Sequence, residues 1–302
     1  MFRGKDLILL SVVGCSAAAG LTWPSTFSWL APALSYLMMG MLFLSFLKIE
    51  PIHVWRAIKD RPGQLILLGG VKLILLPALV YPLASWLSPD YALGLLLLAG
   101  ASTGVTTPFF TAFIGGNVAL AMIMASATSL LVPLSLPLMV RLLAGRELNF
   151  SLIDLALLLA MIIFLPLTVV WVCRRFWPWI INQTARISFP VSLVILGLMI
   201  LGAFGQHASY LRGNPEQFLV AGLLAVLLGL LLGALGWFLL KAGQPPDRVA
   251  AAGSMIWSNN ILVIVIGTEL GDVQTLVLAA IYMGPIFAAI PLLARLAKTG
   301  HT

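Results

Sequence analysis

Residues 91–114 read YALGLLLLAGASTGVTTPFFTAFI. A helix of this length crosses a bilayer, since about 20 residues at 1.5 Å each cover the hydrocarbon. Its centre, Gly100-Ala101-Ser102-Thr103-Gly104-Val105-Thr106-Thr107-Pro108, carries glycines, hydroxyls and a proline that lacks the donor a helix interior needs. Residues 249–270 repeat the arrangement with Trp257-Ser258-Asn259-Asn260 at the centre, where two adjacent amides in hydrocarbon are costly unless they face protein, water or a ligand. Both stretches read as helices broken near Thr106 to Pro108 and near Trp257 to Asn260, crossing at the midplane. Such breaks aim free N–H and C=O groups and half-helix dipoles at one place. The plainer readings are a proline kink for Pro108 and an interhelical amide bond for Asn259 and Asn260. Two breaks at matching places favour a site, with Thr103, Thr106, Thr107, Pro108, Ser258, Asn259 and Asn260 as its candidates.

The surrounding sequence fits a chain dissolved in lipid. Of 302 residues 61% are hydrophobic and 9% charged, against about 25% charged in soluble domains. The apolar runs are Leu, Ala, Ile and Gly on all faces, not the alternating ten-residue segments of a membrane barrel. Ten spans are read: Leu7 to Leu21, Phe27 to Leu47, Gln64 to Leu87, Tyr91 to Ile114, Asn117 to Leu143, Leu152 to Val172, Ile187 to Gln206, Gln217 to Leu240, Val249 to Leu270 and Thr275 to Leu296. Of the 17 Lys and Arg, 13 then fall on one side and 3 (Arg141, Arg146, Arg212) on the other, which places both termini in the cytoplasm. The net charge of +7 is thus a topology signal, and no soluble face exists to carry a nucleic-acid site.

The fold class is therefore an all-α membrane protein of ten transmembrane helices. An odd number of spans per half inverts the second half relative to the first, so residues 1–145 and 146–302 read as two inverted five-helix repeats. The loop from Lys48 to Gly63 sets Ile52, Val54, Trp55 and Ile58 among Arg56, Lys59 and Arg61, which reads either as a short interfacial helix or as a solvated charged loop. Cys15 and Cys173 have no pairing logic, and His53, His207 and His301 fall in loops or the tail, so no metal centre is expected. The spans lack the paired acids, His-Glu motif or Ser-base arrangement of an intramembrane enzyme or a receptor's signalling domain. No cofactor and no obligate protein partner is implied; the partners are the lipid bilayer and a small substrate.

Gly116-Asn117-Val118-Ala119-Leu120 opening the fifth span, the hydroxyl-rich break at Thr103 to Pro108 and Ser258-Asn259-Asn260 in the ninth resemble the bile acid:sodium symporter family and its bacterial relatives. That resemblance implies a panel of spans one, two, six and seven, a core of spans three to five and eight to ten, and substrate bound between them. It implies an integral protein of a bacterial inner (plasma) membrane. It also implies sodium sites that this chain has lost. Family members that use sodium carry a Ser-Asn pair where this chain has Thr107 and Pro108, a Glu at Ser254 and a Gln at Ser258. Only Asn259 is retained, and Ala121 and Ala125 stand where fifth-span hydroxyl ligands are expected. Lys72 occupies the third-span position of a Gln that contributes to a sodium site.

An intramembrane Lys costs about 2.5–3.5 kcal/mol at a helix centre on insertion scales, so Lys72 reads as functional or as a structural donor to carbonyls of a broken helix, and its central place argues against snorkelling. The candidate site is Lys72, Thr103, Thr106, Thr107, Pro108, Asn117, Ser254, Ser258, Asn259 and Asn260. The function expected is secondary active transport of an organic anion, bile-acid-like or a small carboxylate, by alternating access. Lys72 replaces the ion, as a fixed charge or by exchanging a coupling proton. The alternatives are a sodium-coupled bile acid symporter and a passive channel or uniporter of the same fold.

Overall fold

A backbone in hydrocarbon has no water to bond to, so every N–H and C=O must be satisfied within the chain, and sequences apolar on all faces do this as helices. The structure is a computed structural model that describes residues 4–47, 59, 62–104, 106–145, 151–241 and 243–299. Among these residues all regular elements are helical. The helices are α1 (Gly4–Thr22), α2 (Pro24–Phe46), α3 (Pro62–Leu87), α4 (Ala92–Gly100), α5 (Thr107–Phe113), α6 (Val118–Leu143), α7 (Leu152–Phe176), α8 (Pro178–Gly213), α9 (Glu216–Leu239), α10 (Pro245–Ile256), α11 (Asn260–Leu270) and α12 (Val273–Ala297). Among the described residues seven stretches are long and apolar enough to cross a membrane: α2, α3, α6, α9, α12 and the segments Ile153–Phe176 and Gln183–Tyr210 of α7 and α8. Ser11–Thr22, Pro89–Gly100 and Asn260–Leu270 are shorter apolar helices. This is an integral membrane protein. Of the loop from Lys48 to Gly63, read either as an interfacial helix or as a solvated loop, only Lys59, Pro62 and Gly63 are described, and His53 and His301 lie outside the described residues.

The two interrupted helices differ from the sequence reading in one respect. The fourth-span helix ends at Gly100 and resumes at Thr107, so the break precedes Thr107 and Pro108. The reason is the chemistry of proline, whose missing N–H and fixed φ suit the first turn of a helix; Pro108 starts α5 where the reading had it break one. The ninth-span helix ends at Ile256 and resumes at Asn260, within the expected stretch.

By contacts the chain divides into two units. One gathers Met1–Lys48 with Ala160–Gln217, the other Ile49–Leu159 with Phe218–Thr302. In the first, small residues let helices approach closely. A Cβ on Gly20 of α1 would lie 3.0 Å from the Leu201 carbonyl oxygen of α8, and one on Gly202 of α8 2.9 Å from the Leu30 Cβ of α2. Arg174 at the end of α7 donates to the Phe46 and Leu47 carbonyls at 3.2 and 2.9 Å, closing the C-terminus of α2.

The second unit holds α3 to α6 and α9 to α12, and in it α9 lies against α10 through glycine. A Cβ on Gly236 would stand 2.6 Å from Ala252 Cα and 2.7 Å from the Ala251 carbonyl oxygen, both backbone atoms that cannot yield. Gly222 on the same helix has nothing within 4 Å of such a Cβ. Gly236→Ala is therefore expected to destabilise the protein by about 1–3 kcal/mol through overpacking, and Gly222→Ala to stay within about 1 kcal/mol of wild type. Thermal melting of the purified variants checks this, and equal melting of the two would refute the close approach.

Candidate functional site

A helix that stops inside hydrocarbon leaves its last carbonyls without donors. At the end of α10 those donors come from four other segments. The Ser254 carbonyl accepts from Thr103 Oγ1 at 2.9 Å, and Met255 from Lys72 Nζ at 2.9 Å. Ile256 accepts from the Tyr282 hydroxyl at 3.0 Å. Trp257 accepts from the Gly104 N–H at 2.6 Å and Thr107 Oγ1 at 3.2 Å. In return the Asn259 N–H donates to the Ser102 carbonyl at 2.7 Å, so the two breaks join through an isolated antiparallel bridge between Thr103 and Ser258. Gly104 is required here, since a Cβ would lie 2.8 Å from the Trp257 carbonyl oxygen.

Lys72 is fully buried, with its ammonium on the Met255 carbonyl and, at 2.6 Å, on Ser258 Oγ. It therefore sits at the negative end of the α10 dipole, the favourable place for a cation. It does not snorkel, and it donates to a carbonyl of a broken helix. A five-residue π-turn, Val71–Leu75, carries it within α3; such turns recur at functional sites.

The other candidates separate by position. Thr103, Thr107, Ser254, Ser258, Asn259 and Asn260 are buried around the joined breaks. Thr103 is fixed twice, its own N–H going to Thr128 Oγ1 at 2.9 Å. Asn259 caps α11 through its side-chain oxygen, accepting from the Leu262 N–H at 3.4 Å, while its Nδ2 has no partner among the described residues. Asn260 donates from Nδ2 to the Ala279 carbonyl of α12, the interhelical bond of the plainer reading, and its Oδ1 has no described partner. Thr106 is exposed and Pro108 half-buried at the start of α5.

Asn117 is elsewhere. It caps α6 by accepting from the Leu120 N–H at 3.1 Å and donates from Nδ2 to Asp247 Oδ1 at 2.6 Å, while its N–H bonds the Pro246 carbonyl at 2.8 Å. It thus ties the start of α6 to the start of α10, whereas Lys72 binds at the end of α10. Sequence reasoning missed Thr128, Asp247 and Tyr282. Asp247 had a legible signal, an acid in the first turn after Pro245-Pro246; Thr128 and Tyr282 act on backbone groups freed only by breaks in other helices.

Interrupted helices that satisfy one another's ends within hydrocarbon are how transporter folds build binding sites. The chain belongs to the Sodium Bile acid symporter family, whose model matches residues 31–214. It is 24% identical over 264 residues, 85% of this chain, to a probable chloroplastic sodium/metabolite cotransporter of Arabidopsis thaliana, and spans 64% of that relative's length. It is 25% identical over 244 residues to an uncharacterized sodium-dependent transporter of Bacillus subtilis (strain 168), covering 78% of this chain and 74% of the relative. A probable chloroplastic sodium/metabolite cotransporter of Oryza sativa subsp. japonica is 24% identical over 227 residues, covering 74% of this chain and 54% of the relative. The family and these relatives are transporters, not enzymes.

The double role of Asn117 is separable. Asn117→Ser keeps a capping oxygen and loses the bond to Asp247, and Asn117→Ala loses both. A lost cap costs about 0.5–2 kcal/mol, so alanine is expected to melt below serine and serine below wild type. Identical melting of all three would show that Asn117 neither caps nor ties.

Proposed function

We propose that this protein is a secondary transporter of an organic anion, working by alternating access, in which the Lys72 ammonium takes the place of a coupling sodium ion. The observation that carries the proposal is the seating of Lys72 on the Met255 carbonyl and Ser258 Oγ at the negative end of α10. A monovalent cation wants oxygen ligands. Here carbonyl and hydroxyl oxygens already serve an ammonium, and Ala121 and Ala125, both buried in α6, offer none. The positive charge favours an anion as cargo, since among the described residues no carboxylate bonds to Lys72. The N-terminal ends of α5 and α11 also begin at the breaks and add positive dipole ends. Both a bile-acid-like anion and a small carboxylate suit this field.

The same reading holds that the chain crosses ten times in two inverted halves. Support comes from a recurring offset. Thr103 and Ser258 pair 155 positions apart, and Asn117 and Asp272, the capping residues of α6 and α12, are again 155 apart. A panel of spans one, two, six and seven is supported by the division of contacts, which gathers α1, α2 and α8 with most of α7. The Lys and Arg distribution favours cytoplasmic termini, and the Bacillus subtilis relative favours a bacterial inner membrane.

The named relatives favour a second reading, sodium coupling, since their names call them sodium/metabolite cotransporters and a sodium-dependent transporter. Initial uptake of a labelled bile acid and of labelled lactate, with sodium replaced by choline, separates the two. The expected result is undiminished wild-type uptake without sodium and a loss of at least about tenfold in Lys72→Gln, the cost of about 1.4 kcal/mol in the transport cycle. Dependence on the pH gradient would assign Lys72 a carried proton, and insensitivity to it a fixed charge. Loss of wild-type uptake in choline, or full uptake by Lys72→Gln, would refute the replacement. Counterflow against an outward gradient of unlabelled substrate distinguishes a carrier from a passive channel.

A further inference from the structure

Lys72, which reaches the end of α10, lies in a stretch where α3 is not a regular α-helix. The π-turn over Val71–Leu75 closes with the Leu76 N–H on the Val71 carbonyl, an i to i+5 bond. Directly after it comes Pro77, which is buried. In an α-helix the proline ring meets the carbonyl of residue i−4, here Leu73, and leaves that carbonyl without its donor. A turn with one extra residue relieves the collision. The ring also faces α4: a Cβ on Gly100, its last residue, would stand 3.4 Å from Pro77 Cγ and 3.5 Å from its Cβ. Pro77 therefore lies between the turn that carries Lys72 and the end of α4, whose break is bridged through Thr103 to Ser258, a partner of Lys72. If the turn reverted to α geometry, Lys72 would rotate relative to the rest of α3 by about 100°, one residue of a 3.6-residue turn, and its ammonium would leave the Met255 carbonyl and Ser258.

We infer that Pro77 is the positioning residue for Lys72: by enforcing the π-turn and packing on Gly100 it aims the ammonium at the end of α10. This deepens the proposed role of Lys72 and rests on it, but its test reads geometry and not ion dependence. Pro77→Val restores the N–H while keeping bulk against Gly100. The purified wild type, Pro77→Val, Lys72→Met and the double variant are compared by thermal melting and, where Lys72 is present, by its acetylation with N-hydroxysuccinimidyl acetate, read by mass spectrometry. Pro77→Val is expected to lower the melting temperature of the wild type but not of Lys72→Met, a coupling that only an interacting pair shows. It is also expected to raise Lys72 acetylation by at least about tenfold as the buried group opens. A Pro77→Val protein that fails to fold alone but folds in the Lys72→Met background supports the same coupling. Equal melting losses in both backgrounds, unchanged acetylation, or a double variant that fails to fold where Lys72→Met folds would overturn it. A wild type that needs sodium for uptake refutes the transport reading and leaves these results to stand on their own.

Discussion

A helix that ends within a bilayer must find donors for its last carbonyls, and the second unit is arranged around the end of α10 where this is met. Thr103, Lys72, Tyr282, Gly104 and Thr107 bring one donor each to the carbonyls of Ser254, Met255, Ile256 and Trp257. Net hydrogen bonds contribute about 0.5–1.5 kcal/mol each, but an unpaired buried group costs about 1–3 kcal/mol, so the penalty for losing one donor exceeds what the bond adds. Ser258 adds local donors, its N–H to the Ile256 carbonyl at 2.8 Å and its Oγ to the Met255 carbonyl at 3.3 Å, so the break is held by donors from other segments together with its own next turn.

Among those donors Lys72 alone brings charge. A neutral donor would satisfy the Met255 carbonyl equally well, so hydrogen bonding does not explain a lysine there. Charge at the negative end of a half-helix does: it complements the dipole and leaves a positive potential beside the N-terminal starts of α5 and α11. The opposite end of α10 carries Asp247 in its first turn, tied to Asn117. This twelve-residue helix thus has an acid at its positive end and a cation at its negative end, and each stabilises the element by compensating its dipole.

The helical fold was legible because hydrocarbon leaves so few options: the apolar runs marked where helices lie, and Gly100 to Pro108 and Trp257 to Asn260 marked where two of them stop. The placement of the first break was off by several residues because proline acts in opposite ways inside a helix and at its start. Lys72, Thr103, Ser258 and Asn259 were legible as polar groups in costly surroundings. Asn117 was singled out by resemblance, yet its geometry is that of a cap and a tie to Asp247. Thr128 and Tyr282 were hidden because an isolated hydroxyl in an apolar span looks the same whether it bonds its own helix or the broken end of another. The π-turn was hidden too, since a proline within an apolar span looks the same whether it kinks a helix or, as Pro77 does, follows a π-turn.

The central claim is that an ammonium already occupies the cation position at the end of α10. A ligand that binds the folded state raises its stability by RT ln(1 + [L]/Kd), so the most direct measurement is the melting temperature of the purified wild-type protein as choline is replaced by sodium at constant ionic strength. This account predicts the same melting temperature throughout the replacement. A saturable rise specific to sodium would show that the protein binds the ion and that Lys72 does not stand in its place.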